Sequence, residues 1–141
     1  LSAGNEREAL LAVANRLSIE LGYRAGEEAP YADSTLGGDE GTLFGILDPE
    51  DELLVSRMRR ALANVVAAAG GDSGGIGENA VGMTLDGIET VMRGELVSGN
   101  ADRLSELLPS FVFLVTLPVV HQDRALELSR RAAQLVEGTL G

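Results

Sequence analysis

Apolar residues recur along this chain at helical spacing, and the segments that carry them are separated by glycine and proline. In the first, Leu10, Val13, Ala14, Leu17 and Leu21 lie on one face, which predicts a helix over Asn5 to Leu21 with that face buried. Asn5 and Glu8 have the spacing of a capping box at its start, and Gly22 closes it. Tyr23 to Leu47 has no sustained period and contains Gly26, Pro30, Gly37, Gly38, Gly41 and Gly45, so it is expected to be a long loop. Asp48-Pro49 followed by Glu50, Asp51 and Glu52 is a strong helix start. The stripe Leu54, Met58, Ala61, Leu62, Val65 and Ala69 predicts a helix as far as Ala69, with Arg57, Arg59 and Arg60 pointing away from the core. Gly70-Gly71 is its expected stop.

After a glycine-rich turn to Gly77, Val81, Leu85, Ile88, Met92 and Leu96 predict a third helix from Asn79 to about Leu96. Gly82, Gly87 and Gly94 lie within it, each costing about 1 kcal/mol relative to alanine, so either close packing compensates or the helix is built to move. A fourth helix is expected from about Ala101 to Leu117, with Pro109 kinking or restarting it. It has two apolar stripes, Leu104, Leu108, Phe111 and Val115 on one side and Leu107, Leu114 and Leu117 on another, with Val112 and Phe113 between them. A helix apolar nearly all round must be covered on more than one side. The last helix, about Gln122 to Glu137, carries Ala125, Leu128, Ala132, Leu135 and Val136, with Gly138 as its expected C-terminal cap. No alternating strand pattern and no internal repeat interrupt this series. The reading is one all-α domain over residues 1–141, a helical bundle of about five main helices.

Composition narrows what such a domain can do. A chain of 141 residues, 45% of them hydrophobic, can bury a core of its own. With 22 acidic residues against 11 basic ones, its net charge of -11 disfavours autonomous binding to nucleic acid or an anionic membrane. All the basic residues are arginine, which removes Schiff-base, P-loop and Ser-Lys chemistry. The absence of cysteine removes thiol nucleophiles, thiolate metal sites and disulfides, and suits a reducing cytoplasm. The longest apolar run, Phe111 to Val120, is about half the roughly 20 residues of a membrane-spanning helix. Leu1 opens the chain without a methionine, as a fragment would, and no secretory leader follows it.

Three motifs suggest chemistry and lose it in context. Gly71-Asp72-Ser73-Gly74-Gly75 copies the peptide around a serine-protease nucleophile, yet His121, the single histidine, follows the serine and the flanks are helical. A flexible interhelical loop is the expectation. Gly75-x-Gly77-x-x-Ala80 matches a relaxed dinucleotide fingerprint, but a helix precedes it where a strand is required. His121, beside Gln122 and Asp123, is expected to be a solvated or capping residue, and the acidic clusters Glu27-Glu28, Asp39-Glu40 and Glu50 to Glu52 lack metal-ligand spacing. No catalytic residue, metal ligand or cofactor site is therefore expected, and no enzymatic activity.

The C-terminal half carries a family resemblance. Met92-Arg93-Gly94-Glu95-Leu96, Ala101-Asp102-Arg103-Leu104, Leu107-Leu108-Pro109-Ser110-Phe111-Val112-Phe113-Leu114 and Arg130-Arg131-Ala132-Ala133-Gln134-Leu135-Val136-Glu137-Gly138 resemble the C-terminal region of TetR/AcrR-type transcriptional regulators. Gly4 to Val13 is similar to the junction between that family's DNA-binding and effector domains. The resemblance implies a cytoplasmic effector domain that forms a homodimer through its last two helices, residues 101–141, as a four-helix bundle. It also implies an apolar ligand pocket between the central helices, whose occupation releases operator DNA from N-terminal helix-turn-helix heads. No such head precedes Asn5, so DNA would be bound only through an absent N-terminal domain.

The residues expected at the pocket are Met58, Leu62, Met83, Ile88, Met92, Phe111 and Val115, adaptable or bulky groups on helices that should face one another; plain core packing is the alternative for each. Met83 lies off the main stripe of its helix. Tyr23 to Leu47 is a candidate lid, with Tyr31 and Phe44 reaching inward. The expected dimer interface comprises Leu104, Leu108, Phe113, Ala125, Leu128, Ala132 and Leu135. The rival reading is a helical protein-protein interaction module with no small-molecule ligand.

Overall fold

The computed structural model describes residues 3–24, 47–70 and 74–140. Among them are five helices and no strand: α1 Ala3–Glu20, α2 Pro49–Gly70, α3 Gly74–Val97, α4 Arg103–Thr116 and α5 Gln122–Leu140. The expected all-α bundle is the fold observed. Ser73, the carboxylates of 27–28 and 39–40, and the proposed lid with Tyr31 and Phe44 lie outside the described residues.

Two helix ends follow from glycine. Gly22 adopts φ +108°, its N–H donates to the Ile19 carbonyl at 3.0 Å, and the Tyr23 N–H donates to that of Ser18 at 3.0 Å. Gly99, at φ +78°, repeats the arrangement after α3, with the Gly99 N–H on Leu96 and the Asn100 N–H on Glu95. Both are Schellman closures, which satisfy carbonyls that the last helical turn leaves unpaired. At the start of α2 the Asp48 carbonyl accepts from the Glu52 N–H at 2.9 Å, so Asp48 occupies the N-cap position as expected.

Several boundaries differ from expectation. Helix α1 begins at Ala3, which puts Asn5 inside it and not at its cap. Helix α3 begins at Gly74 and absorbs the expected glycine turn; once nucleated, a helix extends through poor formers at only their propensity cost. Helix α4 runs through Pro109 without restarting, and the Pro109 carbonyl accepts from Ser129 Oγ of α5 at 2.8 Å. Helix α5 continues to Leu140, so Gly138 is an internal helical residue.

One apolar cluster draws on all five helices. Helix α2 is its axis: besides Leu54, Met58, Ala61, Leu62 and Val65 of the expected stripe, Val55, Ala63 and Val66 are buried, while Ala69 is half-buried, so α2 is enclosed on most of its circumference. The most extensive contact between helices joins α4 and α5, and α1 packs on both α2 and α5. At the far end of α2, Gly70 approaches the α4–α5 turn so closely that a Cβ there would lie 2.5 Å from Val119 Cγ2.

Candidate functional site

Six of the seven residues expected at a ligand pocket converge in the core. Met58 and Leu62 come from α2, Ile88 and Met92 from α3, and Phe111 and Val115 from α4, all buried and all in the same cluster. Met83 does not join them; it is 75% exposed on the outer side of α3. Its displacement follows from helical geometry, because Met83 falls between the stripe positions Val81 and Leu85 and projects away from both.

Beside this apolar centre, α2 and α3 are joined by ion pairs whose arginines are buried. Arg59 Nη1 donates to Asp86 Oδ1 at 2.6 Å and lies 3.7 Å from Glu89 Oε2. Arg93 Nη1 donates to Glu52 Oε1 at 2.7 Å. Arg59 and Glu89 are each only 1% exposed. The expectation that Arg59 points away from the core is corrected by this contact: its guanidinium is enclosed because two acidic residues of α3 meet it there. Buried charges persist only when partnered in this way. The sequence signal was present as an acid followed seven residues later by an arginine, Glu52 and Arg59 in α2, and the same order over the same interval, Asp86 and Arg93, in α3. Such complementarity fits two antiparallel helices, but nothing local says that these helices are neighbours.

Two surface hollows lie away from this centre. One, of about 320 Å³, is lined by Arg7, Glu8 and Leu11 of α1 and by Glu50, Leu53, Leu54 and Arg57 of α2. At its edge Arg7 Nη2 lies 3.1 Å from Asp51 Oδ1, and burial pushes the Asp51 carboxyl above its usual range. The other, of about 360 Å³, lies between the end of α1 and α5, over Leu17 and Leu128 and beneath Arg124, Arg130 and Arg131. Its central contact is a fork: Arg131 Nε and Nη2 donate to the two oxygens of Glu20 at 2.8 and 2.7 Å. These bonds, with help from Arg16, hold the Glu20 carboxyl down at about 2.

The expected dimer residues are occupied within the chain. Leu104, Leu108, Ala125, Leu128, Ala132 and Leu135 are at most 8% exposed in one copy, packed between α4, α5 and the rest of the core. Phe113 alone of the seven is half-buried. The other stripe of α4 remains outward: Leu114 is 48% and Leu117 39% exposed, with Leu107 half-buried beside them. The stripe that turns inward, against α2, α3 and α5, is the one with four successive apolar positions; the outward one is interrupted by Ser110.

His121 caps α5. Its Nδ1 accepts from the Asp123 N–H at 3.2 Å and its carbonyl accepts from the Ala125 N–H. Among the described residues no group of three or more His, Cys, Asp or Glu is placed to hold a metal ion, and no helix is long and apolar enough to cross a membrane. Comparison with protein families, curated proteins and solved structures returned no match.

Proposed function

We propose that this chain is the effector-sensing and dimerisation domain of a TetR-like transcriptional regulator, with a small apolar molecule admitted among α2, α3 and α4. The observation that carries the reading is the outward apolar stripe of α4. Leu107, Leu114 and Leu117 remain at the surface after the core has been filled, on the helix that the family resemblance assigns to the dimer bundle. The dimer face is thus Phe113, Leu114 and Leu117, with Leu126 and Ala133, half-buried on α5, alongside. The effector would enter among the buried core residues that include Met58, Met92 and Phe111; methionine side chains repack readily around an apolar guest. Switching requires the guest to bind one arrangement of these helices more tightly than another.

A second reading, a helical module that binds a protein and no small molecule, is favoured by the burial of Met58, Leu62, Ile88, Met92, Phe111 and Val115 in one packed cluster. Native mass spectrometry separates the two. A dimer that retains an apolar molecule supports the effector domain, an empty dimer that also binds no member of an apolar ligand library supports the module, and a monomer overturns both forms of the dimer reading.

A further inference from the structure

At the hollow between α1 and α5 the charge of this chain is locally inverted. The chain as a whole carries -11. Around this opening Arg124, Arg130 and Arg131 meet two carboxylates, Glu20 and Glu127, and Arg16 reaches Glu20 from the α1 side at 3.3 Å. Four of the chain's 11 basic residues are thus gathered at one depression. The hollow between α1 and α2 lacks this bias, since Arg7 and Arg57 line it together with Glu8 and Glu50.

The arginines are not equally committed. Arg131 donates Nε and Nη2 to Glu20 and Nη1 to Gln134 Oε1 at 3.2 Å, so its guanidinium is fixed. Arg124 donates to Glu127 at 3.0 Å in an exposed pair three residues apart, an arrangement that water and salt leave weak. Arg130 is exposed and has no carboxylate partner among the described residues. Beneath this cationic rim the floor is apolar, formed by Leu17 and Leu128 with half-buried Leu21 at its edge. A hollow of about 360 Å³ built in this way suits a ligand with two unlike ends: an anionic group for the guanidiniums and a hydrocarbon body for the floor. An inorganic anion leaves the floor wet, and a neutral hydrocarbon leaves the rim unanswered.

We infer that this hollow binds a small aliphatic carboxylate, its oxygens received by Arg124 and Arg130 and its chain lying across Leu17, Leu21 and Leu128, beside the Arg131 that Glu20 holds in place. The site is distinct from the core among α2, α3 and α4, and it does not depend on the dimer reading.

The test is a titration of the full chain with octanoate, followed by backbone amide and methionine methyl NMR, with acetate and octanol as the one-ended controls. Octanoate is expected to give saturable shifts at Leu17 to Leu21 and Arg124 to Arg131, and each control to bind about tenfold more weakly or less. An Arg124→Gln/Arg130→Gln variant, altered only at the surface, is expected to keep its unfolding midpoint and lose about tenfold or more in octanoate affinity. A structural role for these arginines alone would move the midpoint and not the affinity. Octanoate binding that the double variant leaves unchanged, or that octanol matches, overturns the inference, as does the absence of any saturable shift up to about 10 mM. Shifts confined to the methyl groups of Met58 and Met92 overturn it as well, while supporting the effector reading of the core.

Discussion

Arg59 of α2 and Asp86 of α3 meet at 2.6 Å, and Glu52 and Arg93, seven residues away on each helix and with the charges exchanged, meet at 2.7 Å. This reciprocity sets the antiparallel register of the two helices. Sliding by one turn would separate both of these pairs, a loss that hydrophobic packing alone does not impose as sharply.

Arg59→Met is therefore expected to destabilise the fold by about 3 to 5 kcal/mol, since it withdraws the guanidinium from both Asp86 and buried Glu89. Urea unfolding checks this, and a loss below about 1 kcal/mol would mean that the pair is not a register lock.

Alanine substitution should have opposite signs at two glycines. At Gly70 it forces a methyl against Val119 and should cost about 1 to 3 kcal/mol, with Val119→Ala restoring part of the loss in a double-mutant cycle. At Gly82, where a Cβ meets nothing within 4 Å among the described residues, it should add about 1 kcal/mol through helix propensity. Equal effects at the two sites would contradict the close approach of α2 to the α4–α5 turn.

Acid should weaken the α1–α5 contact. Glu20 titrates at about 2 in the folded chain against an ordinary 4.5, so its contribution is complete above 4.5 and disappears as the pH falls toward 2. Asp51 acts in the opposite sense: burial raises its carboxyl above 3.8, so the folded chain takes up that proton first and gains stability as the pH falls to that point. Glu20→Gln should flatten the fall in unfolding free energy between pH 4.5 and 2, whereas an unaltered profile would show that the Arg131 fork does not form in solution.

Two leucines on the α4–α5 hairpin should respond differently to arginine. Leu128→Arg introduces a charge into the core of a single copy and should abolish the cooperative unfolding transition; Leu114→Arg, on the outward stripe, should leave the helical signal and the unfolding midpoint nearly unchanged and act on association. Circular dichroism with thermal unfolding tells these apart. A folded Leu128→Arg protein would show that α5 is not packed as described.

Helix existence and the first buried face were legible in the sequence. Apolar residues at helical spacing mark α1 through α5, and the stripe from Val81 to Leu96 is buried as its period predicts, because any helix that packs must bury its apolar side. Asp48-Pro49 and Gly22 also act where local chemistry places them, since caps depend only on residues within a turn. The tertiary structure alone decided two things. It turned Arg59 inward, because acids on another helix were there to receive it, and it chose which of the two apolar stripes of α4 faces the core. Each depends on which helices become neighbours, and periodicity along one helix carries no information about the identity of the surface that will meet it.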